Sequence, residues 1–450
     1  MTNKKEYLIY KISDEMKGSI KIDAELFRTL KVKRGLRNED GTGVLVGLTN
    51  IGNVVGYERD DSGKLTPIEG KLYYRGYEIA DLAQAILDEN RFGFEEIAYL
   101  LLSGKLPDKE ELCSFKELIT DNMPLDPKTI LNIIELEGTN IMNILARSVL
   151  ELYTFDSNPD DTSRDNLMRQ SIELVSKIPT IIAYAYNMMR HKTLNRSLHI
   201  RHSQGDKSFA ENFLYMLKGG HYTELDAHML DLLLILHAEH GGGNNSTFTV
   251  RVTSSTGTDT YSAIAAGIGS LKGPLHGGAN IKANDMIEHL KKEIKDWDNE
   301  KEIKEYLNKI LNKEVYDKTG LIYGIGHAVY TLSDPRAVLI KKMAEKLAKE
   351  KGRTNEFEFL ARLEKIAIET IYEKKGREKP LCANIDFYSG FVYNLIGLPI
   401  AIFTPLFAMA RIVGWCAHRN EELNFEGKRI IRPAYRAVSE ICTYVPLEKR

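Results

Sequence analysis

Three motifs in the second half of the chain combine histidine with glycine or arginine, the residue types that transfer protons and bind carboxylates. The first reads LHAEHGGGNNSTF and places His237 and His240 at the end of an apolar run. Histidines three positions apart share one face of a helix. The pair allows three interpretations: a site for an anionic substrate, two histidines satisfied by local hydrogen bonds, or part of a metal site. A metal site needs a third ligand, and neither HExxH nor the zinc-deaminase signature occurs in the sequence.

The second motif, GPLHGGAN, sets His276 in a turn of glycine and proline, just before a helical pattern that runs to Ile294. A helix N-terminus presents free N–H groups and a partial positive charge. That charge lowers the pKa of a nearby imidazole. We therefore expect a neutral His276 that donates a hydrogen bond to developing negative charge.

The third motif, GIGHAVYTLSDPRA, places His327 after a glycine-rich loop and Arg336 in the first turn of a predicted helix. Asp334 and Pro335 are suitable as the N-cap and first residue of that helix. An isolated arginine is as often a surface charge as a ligand-binding group. The glycine-rich loop positions the histidine and the capped helix start positions the arginine, within ten residues of each other. This combination indicates a carboxylate site. The sequence contains no dinucleotide-binding fingerprint and no Walker A motif.

A fourth motif, NIDFYSG, surrounds Asp386 with apolar and aromatic residues. Burial of an unpaired carboxylate is costly, and apolar surroundings raise its pKa above about 3.9, which makes it a better base. The alternative is that Asp386 caps the next helix. Arg411 ends a run without charges and is predicted to be largely buried, where an arginine usually binds a carboxylate of the protein or of a ligand. Arg432 precedes a proline.

The bulk composition narrows the possible partners and locations. The net charge is −2 at pH 7 and the pI is near 6.6, which argues against a nucleic-acid partner. The four cysteines form no CxxC pair and the N-terminus has no continuous apolar stretch, so we expect a cytoplasmic chain without a signal peptide.

Residues 391–410 are uncharged and long enough to span a membrane, but two prolines and several polar residues favour a buried helical hairpin and no membrane partner.

The periodicity predicts a mainly α-helical chain with a small β-sheet near its start. Residues 1–40 are charged and are expected to form an irregular arm, and residues 44–74 alternate as strands do. Helical patterns follow almost everywhere. We predict a large helical domain formed by 1–277 and 386–450, with a smaller, Lys/Glu-rich helical domain, 278–385, inserted into it.

These motifs, in this order, closely resemble the citrate synthase family, and the resemblance extends to KLYYRGYEIADL and FEEIAYLLLSGKLP near the start. It implies a two-domain, all-helical homodimer that closes over its substrates. It implies condensation of acetyl-CoA with oxaloacetate and hydrolysis of citryl-CoA, with the coenzyme A thioester as co-substrate and no bound metal or permanent cofactor. 2-Methylcitrate synthase, which uses propionyl-CoA, is the alternative within the family. A metal-dependent hydrolase that uses His237 and His240, and a non-catalytic binding homologue, are alternatives from other classes.

The resemblance also implies a role for each motif residue. Asp386 would take a methyl proton from acetyl-CoA, His276 would donate a hydrogen bond to the resulting enol or enolate, and His327 would polarise and protonate the oxaloacetate carbonyl. The residues that would bind the oxaloacetate carboxylates are His240, Arg336, Arg411 and, from the other subunit, Arg432. The loop that would lie along the coenzyme A adenine contains Leu321, Tyr323, Gly324 and Gly326.

Overall fold

The computed structural model describes residues 2–61, 64–136, 138–377 and 379–450. Within these ranges the chain forms eighteen α-helices and one three-stranded sheet, so the predicted mainly helical fold with a small N-terminal sheet is confirmed. The helices of the first half are α1 Thr2–Ser19, α2 Ala24–Thr29, α3 Ile79–Asp88, α4 Phe94–Ser103, α5 Lys109–Asp121, α6 Pro127–Glu135, α7 Ile141–Leu152, α8 Arg164–Leu194 and α9 Phe209–Lys218. The helices of the second half are α10 Glu224–His237, α11 Asn245–Ser254, α12 Thr260–Lys272, α13 Ala279–Glu293, α14 Glu300–Leu311, α15 Pro335–Glu350, α16 Thr354–Lys375, α17 Ile385–Ile396 and α18 Phe403–Asn424.

The sheet is antiparallel, in the order β1-β2-β3. Its strands are β1 Gly52–Arg59, β2 Leu65–Tyr74 and β3 Tyr77–Glu78. Strand β1 pairs with β2 from Gly52 opposite Tyr74 to Arg59 opposite Leu65, with an irregularity between Val55 and Tyr57. The β prediction for residues 44–74 is therefore right for residues 52–59 and 65–74. The described residues 44–48 form no strand, because an alternating apolar pattern alone does not supply a pairing partner.

Two compact units divide the chain: residues 1–47 with 431–450, and residues 48–430. The first unit contains α1 and α2, so the prediction of an irregular arm over residues 1–40 is wrong. Helix α1 exposes the side chains of residues 4–19 on every face, and a prediction based on an apolar stripe misses such a helix. The predicted boundaries at 277/278 and 385/386 both lie inside the second unit and stay predictions.

The core of the second unit is built around α10 and α18, which pack against each other. Helices α4, α8 and α11 also pack on α18. Residues 391–410, predicted as a buried helical hairpin, form the end of α17, a turn and the start of α18, and most of them are buried. Ile400–Asn424 is long and apolar enough to cross a membrane, and 83% of its most apolar window is buried inside the protein.

The small sheet supports the segment that joins His327 to Arg336. A Cβ atom on Gly56 would lie 2.5 Å from the carbonyl oxygen of Val329, and one on Gly70 would lie 2.2 Å from that of Ser333. The Gly70 N–H also donates to Ser333 Oγ at 3.1 Å. Backbone therefore lies directly on backbone here, which only glycine permits.

Candidate active site

Asp334 joins the start of α15 to the start of α17. It caps α15 by accepting from the Arg336 backbone N–H at 3.0 Å, with Pro335 in the first turn, as predicted. Its carboxylate also accepts from Arg336 Nε at 3.0 Å and Nη2 at 2.7 Å, and from the Ile385 N–H at 3.3 Å. Burial raises the pKa of Asp334, but the Arg336 guanidinium outweighs this and holds the pKa below its usual range. Arg336 is thereby fixed beside the helix that carries Asp386.

The loop before His327 is tied to the segment before Asp386. Gly326 N–H donates to the Cys382 carbonyl at 2.8 Å, Asn384 N–H donates to the Gly324 carbonyl at 2.9 Å, and Asn384 Nδ2 donates to the Gly326 carbonyl at 2.8 Å. Gly324 and Gly326 both have left-handed backbone, with φ of 83° and 93°. Asn384 is also the N-cap of α17, accepting from the Asp386 N–H at 2.9 Å. Capping as the function of Asp386 is therefore wrong, and its carboxylate is available for other chemistry.

Asp386 is a carboxyl group prepared to act as a base near neutral pH. Its pKa is raised from 3.8 to about 6, chiefly by burial; Arg336 opposes the rise, Asp334 adds to it, and a hydrogen bond from Asn280 opposes it. The predicted direction of this shift is confirmed. A base with a pKa near the working pH combines a deprotonated population with useful basicity.

Three rings, His240, His327 and Tyr330, meet beside Arg336. The His240 and His327 ring centroids are 5.2 Å apart, and His327 stacks on Tyr330 at 4.7 Å. Arg336 Cζ lies 5.7 Å from the centroid of the Tyr330 ring. Burial, followed by the Arg336 charge, lowers the pKa of His240 well below its usual value, so this ring is neutral at pH 7. His327 Nδ1 accepts from the N–H groups of Val329 and Tyr330, each at 3.1 Å, so the proton of a neutral His327 lies on Nε2.

Arg411 is fully buried, as predicted. Its Nε donates to the His237 carbonyl at 2.6 Å, and its Cζ lies 4.7 Å from the centroid of the Phe407 ring. Among the described residues, Nη1 and Nη2 of Arg411 and Nε2 of His240 have no hydrogen-bond partner. Burial lowers the pKa of Arg411 to about 10, so the guanidinium remains charged at pH 7. A buried cation with two open N–H groups matches a carboxylate.

His276 lies in the turn before α13, where the sequence placed it. Burial, with a smaller contribution from the Arg411 charge, lowers its pKa to about 4. The predicted neutral ring is confirmed, and burial and the Arg411 charge are causes that the sequence alone did not reveal. His276 Nε2 lies 3.0 Å from Ser246 Oγ, which also accepts from Trp415 Nε1 at 3.2 Å. The His276 ring lies 6.2 Å from Phe407, which contacts Arg411.

His237 is held by the protein itself. Its Nδ1 lies 2.7 Å from the Leu233 carbonyl, to which it donates, and burial lowers its pKa to about 3. Among the described positions, no group of three His, Cys, Asp or Glu side chains is arranged to hold a metal ion.

The remaining predicted residues lie at the edge of this arrangement or in the other unit. Leu321 is exposed, and Tyr323 donates to Asp317 at 2.5 Å while Lys282 Nζ lies 5.2 Å from the centroid of its ring. Arg432 belongs to the first unit, where it is exposed and outside regular secondary structure. The role predicted for Arg432 therefore stays a prediction.

Sequence reasoning missed four residues that position the site. Asp334 was recognised only as a cap, and Ser246 and Asn280 were not singled out although both lie within the glycine-rich motifs. Glu239 stands between two histidines at the end of an apolar run. A carboxylate in such a run is itself a signal of a buried ionic contact.

We expect Asp386→Asn to be more stable than the wild type above pH 7, by roughly 2 to 3 kcal/mol, because the pKa rises from 3.8 to about 6. A raised pKa means that the folded state opposes ionisation, so the cost is absent below about pH 4 and fully present above about pH 6. Urea unfolding at pH 4, 6 and 8 measures the difference, with the exposed Asp165→Asn as control. An advantage of equal size at all three pH values would contradict this.

The comparisons with known proteins identify the family of this chain. The family model described as "Citrate synthase, C-terminal domain" matches residues 40–434. A citrate synthase of Synechocystis sp. is 36% identical over 395 residues, which cover 85% of this chain and 89% of the relative. A 2-methylcitrate synthase of Shewanella oneidensis is 33% identical over 378 residues, covering 81% of this chain and 87% of the relative.

A solved structure is similar over nearly the whole chain. It is the ternary complex of citrate synthase from the archaeon Thermoplasma acidophilum with carboxymethyl coenzyme A and oxaloacetate. The TM-score is 0.75 at 28% identity, covering 93% of this chain and 99% of that one. With a family model that spans most of its length and relatives above 30% identity, this chain belongs to the citrate synthase family.

Proposed function

We propose that this chain condenses acetyl-CoA with oxaloacetate to give citrate and coenzyme A, with the site residues in the roles set out below. The observation that carries the proposal is the combination of one carboxyl group of raised pKa with neutral imidazoles and a buried guanidinium that has two open N–H groups. Together they provide a base, hydrogen-bond donors and an anion site. The reaction makes a C–C bond from a poorly acidic methyl group, and it needs all three.

Oxaloacetate binds as a dianion to the cationic side of the site. Nη1 and Nη2 of Arg411 donate to one carboxylate, since these groups have no other partner among the described residues. Arg336 adds a second positive charge and is held in place by Asp334. His240 is neutral and donates from Nε2 without adding charge. The buried setting strengthens each of these contacts relative to water.

The acetyl methyl group is deprotonated between Asp386 and His276. The Asp386 carboxylate takes the proton, and the electron pair moves onto the thioester oxygen. His276 donates a hydrogen bond to that oxygen, which requires the imidazole proton on the nitrogen opposite Ser246. Ser246 Oγ lies 3.0 Å from Nε2 and 3.0 Å from Asn244 Oδ1, so this tautomer requires the single hydroxyl proton of Ser246 to go to His276 rather than to Asn244. A positioned base and donor act together on a carbon acid that neither could deprotonate alone.

The enol carbon then attacks the oxaloacetate carbonyl, whose oxygen takes a proton. His327 supplies it from Nε2, because its Nδ1 accepts two backbone hydrogen bonds. Water hydrolyses the resulting citryl thioester and releases coenzyme A. Hydrolysis must wait for bond formation, so we propose that the small domain, residues 278–385, closes over the bound substrates and excludes water.

Coenzyme A enters as a co-substrate thioester, not as a resident cofactor. The Thermoplasma acidophilum relative was solved with a coenzyme A derivative bound. We place the adenine along the loop that contains Leu321, Tyr323, Gly324 and Gly326. Its exposed start and its backbone ties to the Asp386 segment support this placement, because the thioester must reach Asp386.

We also propose that the enzyme is a cytoplasmic homodimer in which Arg432 completes the site of the other subunit. The described residues of the second unit supply every other charged group of the site, and Arg432 is exposed in the first unit. A symmetric dimer would offer this arginine twice, once to each site.

Propionyl-CoA is the alternative thioester, because a 2-methylcitrate synthase is 33% identical to this chain. One extra methyl group changes binding by only about 1–3 kcal/mol. We expect coenzyme A release, followed by thiol titration, to be faster with acetyl-CoA than with propionyl-CoA when oxaloacetate is present. No release without oxaloacetate is the control. Faster release with propionyl-CoA would make the enzyme a 2-methylcitrate synthase, and no release with either thioester would refute the proposed reaction.

Asp386→Ala and Arg432→Ala should each lack turnover as pure proteins. Refolded together, they should regain about a quarter of wild-type activity, because half of the dimers are hybrids with one intact site of two. Asp386→Ala mixed with His276→Ala is the matched control and should stay inactive, since both residues come from the same subunit. No activity in the first mixture would place Arg432 outside the neighbouring site, and activity in the control mixture would mean that Asp386 and His276 come from different subunits.

A further inference from the structure

Glu239 is a fully buried carboxylate next to the proposed oxaloacetate site, and no step of the reaction uses it. Its Oε1 accepts from the Gly241 N–H and from His418 Nε2, the latter at 3.0 Å. Its Oε2 has no hydrogen-bond partner in the part of the chain that the structure describes. A Cβ atom on Gly52 would lie 2.7 Å from Oε1, and one on Gly414 would lie 2.4 Å from Oε2. Two glycines therefore make room for this carboxylate.

A chain of hydrogen bonds keeps Glu239 ionised. Arg251 Nη1 lies 2.9 Å from His418 Nδ1, and since arginine only donates, Nδ1 accepts and Nε2 carries the proton toward Glu239. Arg251 is itself paired with Glu421 at 2.7 Å and Glu422 at 2.8 Å. Burial raises the pKa of Glu239, but His418 and then Arg411 overcome this and hold it below its usual range. Glu239 is thus an anion inside the core.

Arg411 is a buried cation whose Nη1 and Nη2 have no hydrogen-bond partner among the described residues. Gly414, which contacts the Glu239 carboxylate, lies one turn after Arg411 on α18. In the part of the chain that the structure describes, Arg411 donates only its Nε, to the His237 carbonyl. Glu239 is the strongest of the groups that offset the effect of burial on the pKa of Arg411. The carboxylate thus stabilises the guanidinium through space while its own hydrogen bonds go to Gly241 and His418.

We infer that Glu239 is a positioning residue, the internal counter-ion of Arg411, which balances the buried guanidinium and leaves both Nη groups open to a dicarboxylate. The inference rests on the proposed binding of oxaloacetate at Arg411. A direct ion pair would occupy the guanidinium, and no counter-ion would leave it a costly unpaired charge. A nearby carboxylate that is hydrogen-bonded to other donors avoids both the blocked guanidinium and the unpaired charge. Its negative charge also repels the bound anion enough to let the product leave.

Glu239→Gln tests this, because the glutamine Oε1 keeps both hydrogen bonds and only the charge is removed. The free enzyme should have a lower Tm, since Arg411 loses its counter-ion. Oxaloacetate should bind more tightly, on the order of tenfold by calorimetry, since the dianion no longer meets a negative charge. KM for oxaloacetate should fall by a similar factor without a matching rise in kcat. Glu239→Asp keeps the negative charge, and Glu421→Gln removes a negative charge at the outer end of the same series of hydrogen bonds. Neither control variant should bind oxaloacetate more tightly.

Unchanged or weaker binding by Glu239→Gln would overturn the inference, because a merely structural role loosens the site. If this variant does not fold, the double variant Glu239→Gln/Arg411→Met decides. It should fold and be more stable than either single variant, since both buried charges are removed together. If the changes in the free energy of unfolding caused by the two substitutions simply add in the double variant, the inference is overturned. Failure of the wild type to bind oxaloacetate would instead refute the proposed function, and the stability coupling would remain measurable.

Discussion

The cost of burying positive charge within a helical core shapes this structure. Arg336 and Arg411 are both almost fully buried, where an unpaired guanidinium costs several kcal/mol. Arg336 is paired directly with Asp334, which also caps one helix and binds the first N–H of another. Arg411 has a carbonyl on its Nε and a more distant carboxylate for its charge. Arg336 is thus fixed in the site by its ion pair, whereas Arg411 keeps hydrogen-bond donors open for an anion.

The same burial sets the protonation states on which the chemistry depends. It lowers the pKa of His276 to about 4 and raises that of Asp386 to about 6, which gives a neutral donor and a base near neutral pH. The two groups lie at the starts of α13 and α17, which pack against each other. Asn280, one turn after His276, hydrogen-bonds to Ser389 and to Asp386 and so joins these helix starts. The packing of these two helix starts therefore sets both the positions and the pKa values of His276 and Asp386.

Much of the site could be predicted from local sequence, because glycine turns, caps and charges in apolar runs have local causes. The cap at Asp334, the burial of Arg411 and the turn at His276 follow from adjacent residues and are confirmed. The causes of the low pKa of His276 could not be predicted locally, because they are burial and then Arg411, which lies 135 positions away in the sequence. The capping alternative for Asp386 was wrong because Asn384, two residues earlier, is also a capping residue type.

Elements without an apolar pattern were the hardest to predict. Helix α1 has exposed side chains and no buried face to detect, and residues 44–48 have a strand-like pattern but no pairing strand. The contacts of Glu239 with His418 and of Gly70 with Ser333 join distant parts of the chain, and no local pattern predicts them. The role of Arg432 depends on a second subunit and stays a prediction.

The central claim is that the open donors of Arg411 and His240 bind the dicarboxylate while the rest of the site stays in place. A crystal structure of the oxaloacetate complex tests it most directly. Our account predicts both Nη atoms of Arg411 on one carboxylate, Nε2 of His240 on the same ligand, and the Arg411 bond to the His237 carbonyl retained. Oxaloacetate bound elsewhere, or an Arg411 turned to pair directly with Glu239 in the complex, would contradict it.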